Sequence, residues 1–401
     1  MFLEITLRRN RRLIEAALDY HRAGTLPPNT YLIDYDTVRE NARLLHDASR
    51  QSGVGLFFIT KQLGHNPAAI DAIREGGLTT GTSIDTTEAY LLAAKQVALG
   101  NVGHLTQIPT HEIEAILRLA PEYVTVFGVE KARQVSAAAQ RANRDVDLIL
   151  RVYRPVDEFF PGQVGGIALD DVIDAARAIN ALPRVRVAGV TSYPCLTVED
   201  GALSELPNLE TILMARESLE RALGYSLACV SAPGNTCVAA LPLLASYGVT
   251  HAEPGHALTG TTPLHGDGAQ PETPAMVYVS EVSHIQGRTG YMYGGGFYRR
   301  SRLEAALVAS RAEHLSEPPV PASHPPADMI DYYGQVDALP ARAQVGDTVI
   351  AAFRTQIFVT RSNVAVVKGL HSGQPSLSGL WDFRGRPVSN GLKAGVYDPH
   401  P

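Results

Sequence analysis

The chain is poor in cysteine, in concentrated positive charge and in long apolar runs, and each shortage removes a class of protein. Its three cysteines, Cys195, Cys229 and Cys237, are odd in number and show no CxxC spacing. That argues against a disulfide framework or a zinc knuckle and fits reduced thiols in the cytoplasm. A net charge of −6 and a pI near 6.1 leave no basic face for a nucleic-acid backbone. One basic run exists, Arg8-Arg9-Asn10-Arg11-Arg12. It opens an amphipathic helix carrying Leu13, Ile14, Ala17 and Leu18, and reads as a solvated helix face. No stretch of about 18 apolar residues occurs, so no membrane-spanning helix is predicted. The N-terminus lacks the apolar core and cleavage site of a secretory signal.

What remains is a large globular chain. Its 401 residues, 45% hydrophobic and 19% charged, can build a substantial core. The length suits a barrel of about 250 residues with a second domain of roughly 100 to 150. Strand-like runs at 56–60, 79–83, 102–106, 123–127, 147–153, 185–191, 227–231 and 249–253 alternate with helical patterns. Those helices are expected at 67–75, from 87, from Pro109, at 130–143 and at 170–180. Most of the strands are apolar along their length, as in a parallel sheet buried on both faces. Eight such βα units predict an α/β fold, a TIM (β/α)8 barrel, in preference to an open doubly wound sheet. After residue 260 Pro and Gly become frequent, and strand-like runs at 275–283, 348–353, 357–360 and 364–367 predict a C-terminal β-rich domain. A proline-rich connection, 317–327, lies among them. The expected organisation is a helical segment 1–29, a barrel 30–262 and a β domain 263–401.

In such barrels the chemistry sits in the loops that follow the strands. Lys61 directly follows the first strand in Phe57-Phe58-Ile59-Thr60-Lys61-Gln62. A lysine desolvated there loses its charge readily, and its neutral amine can form an imine with a carbonyl. A surface lysine or a salt-bridge partner fits the position equally well. Ser231-Ala232-Pro233-Gly234-Asn235-Thr236 follows strand seven and leads toward an apolar helix, so its N–H groups and hydroxyls suit an anion. Glu253-Pro254-Gly255-His256 follows strand eight, with Gly255 able to bring the backbone close to a ligand. Phosphate sites in these barrels are often built from those two loops. An imine-forming lysine, a phosphate cradle and a carboxylate together match the needs of pyridoxal 5'-phosphate (PLP), with Glu253 pairing with the protonated ring nitrogen.

These residues resemble the fold-type III PLP enzymes, the alanine-racemase-like superfamily, and the chain as a whole looks closest to its YhfX-like branch. Phe58-Ile59-Thr60-Lys61-Gln62-Leu63-Gly64-His65-Asn66-Pro67 looks like the family's lysine motif. Glu253-Pro254-Gly255 is similar to the Glu-Pro-Gly segment of the decarboxylases, where alanine racemase has an arginine. Tyr293-Gly294-Gly295-Gly296-Phe297-Tyr298-Arg299-Arg300 looks like the racemase segment whose tyrosine enters the partner subunit's active site as second acid/base. Tyr293 is the best match to it, with Tyr291 and Tyr298 as alternatives. No Cys-Asp segment of the decarboxylase kind occurs.

The resemblance implies a homodimer holding PLP as a Schiff base on Lys61 and acting on an amino acid, and the cysteine pattern places it in the cytoplasm. The favoured activity is an amino-acid racemase or epimerase with Lys61 and Tyr293 as opposite-face bases. The alternative is a lyase of aldolase or decarboxylase type. Cofactor contacts are expected from Lys61, Tyr193, Gly234, Asn235, Thr236, Glu253, Gly255 and His256. Bland readings stand beside these: Tyr293 as a core or interface tyrosine, Tyr193 as an ordinary buried one. Arg154 could meet a substrate carboxylate or pair with Asp157 or Glu158, and Asp85 could be a helix N-cap. His251, His256 and His265 have no compact metal spacing, His371 is a weaker metal candidate, and no metal is predicted.

Overall fold

The structure, a computed structural model, describes residues 2–298, 300–309 and 318–388. Arg299 of the tyrosine segment and Glu317 at the head of the proline-rich connection lie outside the described residues. Contacts divide the chain into two units: 1–42 with 60–76 and 258–401, and 43–59 with 77–257.

The second unit carries eight parallel strands: Gly55–Leu56, Thr80–Ser83, Ala98–Val102, Tyr123–Val126, Val146–Tyr153, Val185–Thr191, Cys229–Ser231 and His251–Ala252. They pair in the ring order first, eighth, seventh, sixth, fifth, fourth, third, second. Phe58 closes the ring by a parallel bridge to Gly81. Its N–H donates to the Thr80 carbonyl at 3.0 Å, and its carbonyl accepts from the Thr82 N–H at 3.0 Å. The expected barrel is thus the observed one.

Three local expectations are corrected. The third strand is Ala98–Val102, not 102–106. Pro109 opens no helix, since its carbonyl turns back to the Glu112 N–H at 2.9 Å and the helix is Ile113–Arg118. Residues 357–360 form a 3-10 turn, Ile357–Val359, because the Thr360 hydroxyl bonds the Ile357 carbonyl at 2.7 Å and competes with a ladder. The helix Pro67–Glu75 lies as predicted, with proline in its first turn and the Asn66 side chain accepting from the Ala68 and Ala69 N–H groups.

Where the barrel strands begin, Phe57 stacks on His251 at 4.8 Å and leans on Tyr123 at 6.3 Å. Gly100 makes room for that ring, since a Cβ there would come within 2.3 Å of Phe57 Cδ1.

In the first unit an antiparallel sheet runs Thr289–Tyr293, Tyr333–Asp337, Val320–Ser323, Ala305–Ala309, Thr348–Ala351 and Met276–Gln286. Met276–Gln286 shifts register between Val282 and His284 and pairs with Thr289–Tyr293 as well, which closes this ring too. Thr30–Asp34, where the sequence reading begins the barrel, instead bonds Met276–Gln286 antiparallel and Asn363–Lys368 parallel. Helices Phe2–Arg9 and Arg11–Arg22 cover one face, burying Leu3, Leu13, Ile14 and Ala17 against Val277, Ile350 and Val367.

The basic run is not simply a solvated face. Arg9 donates to the carbonyls of Gln270, Pro271 and Glu272 at 2.6 to 3.0 Å, and Arg12 to those of Leu370 and His371. Burial, the largest influence, pulls the Arg9 guanidinium below its ordinary range. Arg11 pairs with Glu15 of its own helix, both side chains about half exposed. Arg9→Ala should therefore cost roughly 1 to 3 kcal/mol of stability in chemical denaturation, and Arg11→Ala less than about 0.5.

Burial holds the His251 imidazole down at a pKa of about 4. Below about 6.5 the unfolded chain binds a proton there that the folded chain refuses. Stability should accordingly fall as pH drops from about 6.5 toward about 4, and His251→Phe should flatten that window in pH-dependent melts. An unchanged pH profile in the variant would contradict this.

Candidate active site

The mouth of the barrel is built from residues at the ends of successive strands. Glu253 follows the eighth strand and is 5% exposed. A carboxylate so desolvated needs donors. The Thr82 hydroxyl, from the second strand, donates to Oε1 at 3.0 Å. The ring of His104, beyond the third strand, brings Nε2 to 3.8 Å from Oε2. Nearby positions on the third and fourth strands are also polar, the Thr125 hydroxyl donating to Asn101 Oδ1 at 2.8 Å.

Strands seven and eight run side by side, Ser231 opposite His251, and the Ala232 N–H donates to the His251 carbonyl. Their loops therefore leave the barrel together, carrying Gly234, Asn235 and Thr236 on one side and Glu253, Gly255 and His256 on the other. Gly234 and Asn235 both have positive φ, 132° and 46°. A Cβ at Gly234 would press on the backbone of Cys195 and Leu196 at 3.1 to 3.2 Å, so only glycine lets this loop lie there. Among the described residues, the buried hydroxyls of Ser231 and Thr236 have no hydrogen-bond partner. The helix expected to start beside Thr236 begins only at Ala240, after a turn in which the Ala240 N–H bonds the Cys237 carbonyl. The loop, not a helix terminus, offers the polar groups.

Lys61 opens the short 3-10 turn Lys61–Leu63 and is 9% exposed. It stands two residues beyond Ile59, whose N–H donates to the Pro254 carbonyl at 2.9 Å. Tyr193 follows the sixth strand and meets the rings of His104 at 5.9 Å and Phe160 at 5.6 Å. Tyr293 ends its strand in the other unit and is 38% exposed. Its carbonyl accepts from Ser280 and Tyr278, while Asp331 accepts from the N–H groups of Gly295 and Phe297 and pairs with Arg361. Tyr291 is stacked flat on His284 at 4.5 Å, and Tyr298 lines a hollow of about 360 Å³ with Phe297 and His324.

Two residues of this mouth escaped the sequence reading. One is His104. The other is Arg151 on the fifth strand, fully buried, with its guanidinium over the Phe127 ring and Nη2 donating to the Gln163 carbonyl at 2.6 Å. Burial pulls its pKa down to about 10, against the opposing pull of Tyr193 and Cys195, so it stays cationic at neutral pH. An arginine inside the apolar run Leu148-Ile149-Leu150-Arg151-Val152 was the available signal.

Other candidates resolve to structural duties. The Arg154 side chain bonds Thr211 and Glu210, and its N–H bonds Asp157. Asp85 caps the helix Thr86–Ala94 through the Glu88 N–H. His265 lies between Thr262 and Glu272, and His371 meets Thr37. Among the described residues no group of three or more His, Cys, Asp or Glu side chains could hold a metal ion. Nor is any described helix long and apolar enough to cross a membrane.

The comparisons agree with this architecture. Residues 33–263 match the alanine racemase N-terminal domain, and 277–377 the YhfX-like C-terminal domain. The uncharacterized protein YhfX of Escherichia coli (strain K12) is 39% identical over 393 residues, 97% of this chain and 100% of that protein. Among solved structures, the fold is similar to D-threonine aldolase from Filomicrobium marinum, with a TM-score of 0.69 and 17% identity over 90% of this chain and 96% of that one. The alanine racemase of Clostridium difficile 630 complexed with cycloserine gives 0.64 and 14% over 90% and 99%. The D-threo-3-hydroxyaspartate dehydratase of Delftia sp. HT23 gives 0.66 and 16% over 90% and 98%. The chain therefore belongs to the alanine-racemase-like family, as an alanine racemase N-terminal domain followed by a YhfX-like C-terminal domain.

Proposed function

We propose that this protein is a PLP-dependent enzyme that works at the α-carbon of an amino acid, as a racemase or epimerase. The observation that carries the cofactor reading is the loop 231–236, where two buried hydroxyls have no partner among the described residues and glycine opens the backbone. These residues fit the phosphate end of PLP, with Gly255 and His256 beside them. Glu253 fits the ring nitrogen, Tyr193 the ring's surroundings, and Lys61 the carbonyl. When bound, PLP draws electrons from the α-carbon and stabilises the carbanion left by proton removal.

The residues of the chain supply the rest. The Lys61 amine takes or returns the α-proton on one face. Tyr293 of the partner subunit serves the opposite face, which makes the active enzyme a homodimer. What supports Tyr293 is its exposure and the hydrogen bonds that fix the glycine turn behind it. Its hydroxyl makes no hydrogen bond among the described residues. Arg151 adds a fixed positive charge to the mouth. The three free cysteines are buried, in keeping with a reduced, cytoplasmic enzyme.

Purified protein should gain a yellow absorption band with PLP, and Lys61→Ala should abolish it; wild-type protein that gains no band overturns the cofactor reading. With amino acids in D2O followed by NMR, the wild type should exchange the α-proton of its substrate and interconvert the enantiomers. Tyr293→Phe should slow that interconversion by about 10² to 10⁴. An unchanged rate would rule out Tyr293 as second base, and cleavage of the substrate without enantiomer exchange would establish the lyase instead.

A further inference from the structure

We infer that His104 and Thr82 are positioning residues that keep Glu253 charged and in one orientation for the ring nitrogen of the cofactor, an inference that rests on the PLP reading. Glu253, Thr82 and His104 come from the ends of the eighth, second and third strands, which are brought together only by barrel closure. The Thr82 hydroxyl commits Oε1 by a 3.0 Å hydrogen bond. His104 Nε2, 3.8 Å from Oε2, is beyond hydrogen-bond length but directly faces that oxygen. Both side chains of that contact are 1% exposed, so water screens little of it.

His104 is itself held in place. Its ring stands at 82° to that of Tyr193, and its backbone carbonyl accepts from Arg151 Nη1 at 3.4 Å. The imidazole thus has a fixed edge to present, and the carboxylate is gripped on one oxygen and faced by that edge on the other. A carboxylate free to turn or to take up a proton would lose its hold on a protonated pyridine. The Thr82 hydrogen bond on one oxygen and the fixed His104 ring against the other work against both changes. This is an action on one atom of the ligand, which separates it from simple filling of the barrel.

The test compares PLP with an analogue that carries C–H in place of the ring nitrogen, binding each by absorbance titration. His104→Leu and Thr82→Val should each weaken PLP by roughly tenfold and leave the analogue's affinity unchanged. His104→Gln, whose amide nitrogen can stand near the Nε2 position, and Thr82→Ser should restore most of the loss. Circular dichroism checks that each variant folds, and if His104→Leu does not, Thr82→Val carries the same comparison. Equal losses for both ligands, or no loss for PLP, would overturn the proposal. A wild-type protein that binds neither ligand would instead remove the PLP reading on which it rests.

Discussion

Two hydrogen bonds to Phe58, one each way with the second strand, complete the ring of eight parallel strands. Everything at the mouth follows from that closure. It sets the second strand's Thr82 within reach of Glu253 from the eighth. The residue after Phe58 bonds the Pro254 carbonyl, so the segment that leads to Lys61 starts out beside the one that carries Glu253. Without that closure the sheet would end at the first and second strands, with the first still beside the eighth, and Glu253 would lie far from Thr82 and His104.

Closure also makes the mouth a place where polar groups are costly. Glu253, His104, Arg151, Asn101, Ser231 and Thr236 are all buried there. A barrel interior filled by branched apolar side chains would be the ordinary solution. Concentrating charge and unpartnered hydroxyls at one end while Phe57, Tyr123, Ile149, Ala188 and Cys229 pack together elsewhere in the barrel marks that end for a polar ligand. The family to which the chain belongs gives that reading its chemistry.

Much of this was legible in the sequence because local signals agreed. Asn66 and Pro67 announce their helix, and the apolar fifth and sixth strands announce theirs. The third strand was misplaced because Gly100 and Asn101 are poor strand formers. Both are there for tertiary reasons, one to admit the Phe57 ring and the other to bond Thr125. Reading 102–106 as strand hid His104 from view. Arg151 stands out only as a charge inside an apolar run, and the sequence does not say which face of the strand it takes. Thr30–Asp34 could not be assigned to the β domain because its partners lie some hundreds of residues away, at Met276–Gln286 and Asn363–Lys368. The arginines near the N-terminus bind carbonyls equally remote in sequence.

The chain has five lysines, Lys61, Lys95, Lys131, Lys368 and Lys393, so the central claim can be read from a peptide map. Protein incubated with PLP is reduced with borohydride, digested and sequenced by mass spectrometry. The account predicts a single stoichiometric pyridoxyl adduct on Lys61. An adduct on another lysine, or none at all, would contradict it.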